Sequence, residues 1–184
     1  MKDKNSGERV IIFIDGSNLY HLAKKLVPEK KPNDFDFEKF TKYISVNRKL
    51  VRIYYYNCPL DRRKDEGAYI KQQKFFDKIQ RIPNFSFVLC RMQKKKSNNK
   101  IIYEAKEDDI HLAVDMVKLA YNDAYDTAIL VSSDGDFVPA VQAVKEKGKN
   151  VENIGFENKF SYHLQQTCDK FSKLKKIEVE KFFS

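Results

Sequence analysis

No apolar stretch of the 184-residue chain approaches the ~18–20 residues needed to cross a bilayer. The polar start, Met-Lys-Asp-Lys-Asn-Ser-Gly-Glu-Arg, leads into only about five apolar residues before Asp15, too few for a secretory signal. A membrane protein is thus excluded, and the expected location is the cytoplasm. Cysteine is scarce: Cys58, Cys90 and Cys168 are odd in number, far apart and form no CxxC pair. That argues against a disulfide framework or a cysteine-built zinc site and for reduced, partly buried thiols. The three histidines, His21, His111 and His163, are scattered without HExxH-type spacing, and no GxSxG nucleophile elbow is present. Neither GxGxxG nor GxxxxGK[ST] occurs, so neither dinucleotide nor P-loop binding is signalled. Asp15-Gly-Ser-Asn does not match the DxDx[TV] of haloacid-type phosphatases. There is no internal repeat and no long Gly/Ser or Pro linker.

What is present suits one folded domain. The length favours a single unit at ~100–200 residues per domain. With 10 Tyr and 14 Phe in a 42% hydrophobic chain, a real core can form, which excludes disorder as the main state. The 35 Lys+Arg against 26 Asp+Glu leave a net charge of +9, which suits a polyanionic partner such as nucleic acid. A generic lysine-rich surface would give the same balance.

Short apolar runs without alternation recur at 9–15, 50–56, 85–90, 127–132 and 150–156, as expected of strands covered on both faces of a parallel sheet. Between them the period turns helical: Phe37, Phe40, Tyr43 and Ile44; Tyr69, Gln72, Phe76 and Ile79; Ile110, Ala113, Val114, Val117 and Ala120; Phe137, Ala140, Val141 and Val144, with Gly148 as a C′ stop. Alternating strands and helices imply right-handed crossovers. The fold class is therefore α/β, a three-layer α/β/α sandwich with a mostly parallel central sheet. Residues 1–8 read as a flexible tail, 9–170 as the domain and 171–184 as an extension packing on or trailing it. That last segment is compatible with a closing strand, a closing helix or a docking tail. Gln93–Lys100 reads as a polar, basic loop.

In a doubly wound sheet, chemistry gathers at the carboxyl ends of the strands. The first strand ends in Asp15-Gly-Ser-Asn18 and the fourth in Ser132-Ser-Asp134-Gly-Asp136, while Lys106-Glu-Asp-Asp109 opens the long helix between them. Singly, each has an ordinary explanation, because Asp and Ser cap helices and acids complement a helix N-terminus. On an α-helix Asp115 lies about 240° from Asp109 and about 20° from Asp108, so one acid must point away from a shared site. The expectation is Asp109 in the site and Asp115 in support. Carboxylates forced together repel unless a hard cation neutralises them, and oxygen ligands suit Mg²⁺ or Mn²⁺. Such an ion in a basic protein is an arrangement that cleaves phosphodiesters.

These residues resemble a known family. Phe13-Ile-Asp15-Gly-Ser-Asn18-Leu is similar to the opening "hDGxNh" motif (h apolar) of NYN domains, PIN-like ribonucleases, in their LabA-like branch. The Lys106–Met116 segment resembles that branch's "KGxDhxLAhDh" helix, Ala128–Pro139 its "hLhSGDxDFxP" strand and loop, and Lys147–Val151 its "GkxV" entry to the next strand. Together they span roughly residues 9–170, in order. The resemblance implies a PIN-like fold and a metal-dependent endoribonuclease. Its catalytic residues would be Asp15, Asn18, Asp109, Asp134 and Asp136, the four aspartates ligating Mg²⁺ or Mn²⁺, with Ser132 and Asp115 supporting them. Two positions depart from the pattern: Ser133 and Glu107 stand where glycine is usual, and Ser133 adds bulk beside the acidic loop. RNA, single-stranded or structured, is the expected partner, its backbone held by Lys94, Lys95, Lys96, Arg62, Arg63 and Lys64; a homodimer stays open. Most of Tyr54, Tyr55 and Tyr56 are expected to pack in the sheet. A catalytically weak or silent RNA-binding module, or a metal-dependent phosphatase or DNA nuclease, would use the same residues.

Overall fold

A computed structural model describes residues 7–90, 92–97, 100–105 and 108–183, with side chains described outside 91–107. The first half comprises β1 (Arg9–Asp15), α1 (Gly16–Leu26), α2 (Phe37–Ser45), β2 (Lys49–Asn57), α3 (Glu66–Ile79), β3 (Phe85–Leu89) and the pair β4 (Met92–Ser97) and β5 (Lys100–Ala105). The second comprises α4 (Asp108–Tyr121), β6 (Thr127–Val131), α5 (Val138–Glu146), β7 (Asn150–Phe156), α6 (Tyr162–Thr167), β8 (Lys170–Leu174) and α7 (Lys176–Glu180). Six strands form one parallel sheet in the order β3-β2-β1-β6-β7-β8. The chain winds outward from β1 in one direction, returns, and winds outward from β6 in the other. The reversal falls between β1 and β6, where the loops after neighbouring strands diverge and leave a crevice.

Strand β1 shows why the sheet is covered twice. Val10, Ile12 and Ile14 point into one apolar cluster with α1, α2, α3 and α7, while Ile11 and Phe13 point into a second with α4, α5 and α6. All five are buried, as are all residues of β6, which accounts for their unbroken apolar sequence. The tyrosines of β2 divide the same way. Tyr55 sits in the first cluster and Tyr56 in the second, and half-buried Tyr54 stacks on Phe13 with centroids 5.7 Å apart. Gly148, at φ 78°, takes the left-handed turn after α5.

Three segments differ from the sequence expectation. Helix α1 was not anticipated, although Leu19, Leu22, Ala23 and Leu26 follow the helical period behind an Asp15 cap. The expected 93–100 loop is instead an antiparallel hairpin, with Lys94 opposite Tyr103 and Lys96 opposite Ile101. Consecutive lysines hide the two-residue period on which a strand is recognised. The C-terminal segment supplies the sixth strand, β8, and then α7, after which Phe182 and Phe183 pack edge-on against Phe35. No helix among the described residues is long and apolar enough to cross a membrane.

Candidate functional site

Asp15 ends β1 on the α4 side of the sheet, in phase with Ile11 and Phe13, and is only 6% exposed. Both its oxygens are engaged. Oδ1 accepts the Asn18 N–H at 2.9 Å, capping α1, and Oδ2 accepts the Ser132 hydroxyl at 3.0 Å. The cap and the site are thus one carboxylate. Ser132 Oγ in turn accepts the Asp134 N–H at 3.1 Å, and Asp134 Oδ1 accepts the Asp136 N–H at 3.0 Å. Asn18 Oδ1 accepts the Ser133 N–H at 3.1 Å, tying the first turn of α1 to the loop after β6. Behind that loop, buried Asn153 donates to the carbonyls of Leu130 and Ser132 at 3.1 and 2.9 Å. A continuous network therefore fixes the two acidic loops on either side of the topological crevice. Ser133 is buried, and its hydroxyl donates to the Lys159 carbonyl at 2.9 Å, which turns its added bulk against the 157–160 segment.

Electrostatics define the group further. Burial pushes the Asp15 carboxyl up to about 7, the charges of Asp109 and Asp108 pushing the same way against the hydrogen bonds that lower it. Asp109, exposed as a residue but with its carboxyl partly desolvated, is pushed up to about 6 by that desolvation and by Asp108, Asp134 and Asp136. Asp115 lies about two turns further along α4, where it accepts the hydroxyl of buried Tyr56 at 3.1 Å. Asp108, passed over in the sequence in favour of Asp109, belongs to the group, since both Asp15 and Asp109 feel its charge.

The five acids Asp15, Asp108, Asp109, Asp134 and Asp136 thus share one electrostatic neighbourhood. Among the described residues, however, no three of His, Cys, Asp or Glu converge as metal ligands. Asp15 accepts one bond on each oxygen, from Asn18 and Ser132, and Asp134 turns one oxygen back onto its own loop, so each carboxylate keeps lone pairs for a cation. The donor chemistry, all carboxylate oxygen with mutual repulsion unrelieved, fits a hard divalent cation.

Comparison with known proteins places this arrangement in a family. The NYN domain model matches residues 9–175, the whole of the six-stranded sheet and both acidic loops. This chain belongs to the NYN domain family. The low amplitude and bright protein LabA of Synechococcus elongatus is 25% identical over 175 residues, covering 92% of this NYN chain and 85% of LabA. An uncharacterized protein of Methanocaldococcus jannaschii is 43% identical over 65 residues, which is 35% of this chain and 27% of that protein's length. A crystal structure of a protein of unknown function from Vibrio parahaemolyticus superposes with a TM-score of 0.72 at 22% identity, covering 95% of this chain and 96% of the other; it shares the fold.

The basic residues expected on this NYN domain lie apart from the acids in sequence. Arg62, Arg63 and Lys64 are exposed on the loop after β2, where Arg62 pairs with Glu66 and Arg63 with Asp61. The Arg62–Glu66 pair is exposed on both sides and worth about 0–1 kcal/mol, while Asp61, the partner of Arg63, is only 12% exposed. Lys94, Lys95 and Lys96 lie on β4 of the hairpin. Lys106 and Glu107 lie outside the described residues. Sequence reasoning also missed a cleft of about 440 Å³ between α1, the end of β2 and α3, which reaches the acidic edge through Ser17 and Asp108. It left no sequence signal because its walls come from segments far apart in the chain.

Proposed function

We propose that this NYN domain is a divalent-metal-dependent endoribonuclease, a hydrolase of RNA phosphodiester bonds. The observation that carries the reading is the buried Asp15 carboxylate at the crevice of a doubly wound sheet, braced from both flanking loops and crowded by Asp109 and Asp108. Asp15, Asp109, Asp134 and Asp136 would hold Mg²⁺ or Mn²⁺. Such an ion supplies charge neutralisation for the phosphate and acidity for a water molecule.

The chain's own residues set the stage. Ser132 orients Asp15 and the Asp134 backbone together, so both carboxylates keep one spacing. Asn18 is held by its Oδ1, which leaves its Nδ2 protons for a phosphate oxygen or a water. Asp115 acts at a distance, fixing α4 to β2 through Tyr56 and thereby the position of Asp109. Arg62, Arg63, Lys64 and the lysines of the hairpin supply sequence-independent backbone contacts, whose strength should fall with the logarithm of salt concentration. The net charge of +9 is consistent with that partner.

The test is cleavage of end-labelled single-stranded RNA beside matched DNA, in Mn²⁺, Mg²⁺ and EDTA. RNA cut internally in metal, with DNA and the EDTA lanes intact, is the expected result. A second reading, an RNA-binding module with a silent site, draws on the absence of three converging ligands among the described residues. Binding without cutting in every metal would establish it.

A further inference from the structure

We propose that the cleft beside the acidic edge is a nucleobase pocket, taking the base of one unpaired nucleotide whose phosphate lies toward the aspartates. The proposal deepens the ribonuclease reading and rests on it for the identity of the strand. At about 440 Å³ the cleft falls in the size range of pockets for small organic ligands, which run from ~300 to ~1,000 Å³. Its walls are aromatic: Tyr20, 40% exposed, on α1; half-buried Phe75 on α3; and Tyr55 at the end of β2. Flat aromatic walls with a few polar groups between them suit a base, since every base offers a π-face.

The polar groups match that occupant. Asn57 donates its Nδ2 to the Tyr55 hydroxyl at 3.2 Å, which leaves its Oδ1 as an acceptor. Asp108 adds a second acceptor on the rim toward the acids, where an anion inside the cleft would be repelled and an uncharged ring with an N–H edge would not. Exposed Lys71 adds a cationic group to the lining, suited to a flanking phosphate. Gln72 is spent on the wall itself, accepting the Leu60 N–H at 2.7 Å and donating to the Cys58 carbonyl at 3.2 Å, and so keeps the cleft open.

The cleft and the acids are also joined mechanically. The Tyr55 ring lies against Gly16, where an added Cβ would come within 2.4 Å of it, and Gly16 directly follows Asp15. The Tyr55 ring of the cleft thus touches the residue next to the buried carboxylate. A base seated there places its own phosphate next to the aspartates, so the enzyme would select unpaired RNA by requiring a base to leave its stack.

The test uses the full chain in EDTA, where no cleavage occurs, with adenosine as probe and ribose as the base-free comparison, followed by NMR titration. Adenosine should bind about tenfold or more tightly than ribose, in line with the usual worth of base–aromatic stacking. Ala68→Trp fills the cleft from the first turn of α3, and Tyr20→Ala removes a half-exposed wall; each should weaken adenosine binding at an unchanged far-ultraviolet spectrum. If Ala68→Trp fails to fold, Tyr20→Ala alone decides. Equal binding of adenosine and ribose, or adenosine binding untouched by Tyr20→Ala, overturns the pocket. Because the readout needs no metal, RNA cutting without selective adenosine binding would remove the pocket and leave the nuclease. Selective adenosine binding without RNA cutting in any metal would do the reverse.

Discussion

Replacing Asp15 by asparagine should stabilise the metal-free protein, and should do so in a pH-dependent way. The carboxyl rises from 3.8 in the unfolded chain to about 7 in the fold, chiefly through burial and then through Asp109. Between about pH 4 and pH 7 the native state therefore holds a proton that the unfolded chain has lost. Unfolding free energy falls with rising pH across that window and levels off above it, where the full penalty is present. At about 1.4 kcal/mol per pH unit the ceiling is roughly 4 kcal/mol. Water penetration and side-chain relaxation reduce such penalties, so about 2 kcal/mol, or roughly 4–8 °C in Tm for a domain of this size, is the expected gain for Asp15→Asn at pH 8 in EDTA. Asparagine keeps the acceptor for the Asn18 N–H, so the cap of α1 survives. Thermal unfolding of both proteins from pH 4 to pH 8 reads the effect as a difference that grows with pH. Mn²⁺ should add stability to the wild type at pH 8 and little to the variant, because only a ligand bound by the native state shifts the transition. A constant difference across the pH range, or an equal Mn²⁺ response in both, would refute the reading of Asp15 as a buried carboxylate whose hydrogen bonds only partly offset its desolvation.

Other consequences follow from the packing. Gly16→Ala drives a methyl to within 2.4 Å of the Tyr55 ring and should cost about 1–3 kcal/mol in urea unfolding. Phe182→Ala opens a hole among Phe35, Phe40 and Tyr43 and should cost about 3–5 kcal/mol by the same measurement, the outcome expected if the C-terminal segment belongs to the core. Asp126, held down to about 2 by its bonds to Arg9, contributes stability above about pH 4 that is lost as the pH falls toward 2. Its side chain is 37% exposed, so Asp126→Asn should remove no more than about 1 kcal/mol at pH 7 and flatten the acid limb of the stability curve.

The central sheet was legible because Arg9–Asp15 and Thr127–Val131 are short, β-branched-rich apolar runs without alternation, bounded by turn residues, as suits a strand covered on both faces. Two such strands followed directly by Asp-Gly and Ser-Ser-Asp-Gly put acids at the carboxyl ends of neighbouring strands, where the crevice lies. Helix phase also separated Asp109 from Asp115, and the structure gives the latter a partner, Tyr56, that no local pattern reveals. Asp108 was harder, since its place depends on where α4 begins relative to the sheet. The hairpin escaped because its lysines carry no two-residue period. The cleft escaped because Tyr20, Asn57 and Lys71 meet only through tertiary packing.

In the proposed function the aspartates at the crevice hold the metal ion with which RNA is cut. The decisive measurement is the single-turnover cleavage rate of end-labelled single-stranded RNA in Mn²⁺ for the wild type, Asp109→Asn, Asp134→Asn and Glu146→Gln. Glu146 is an exposed residue at the far end of α5 and serves as the control. Loss of about a hundredfold or more in the two aspartate variants, at unchanged fold and RNA affinity and with the control intact, is the predicted result. Cleavage that persists in both aspartate variants, or that copurifies at equal rate with all four proteins, would contradict it.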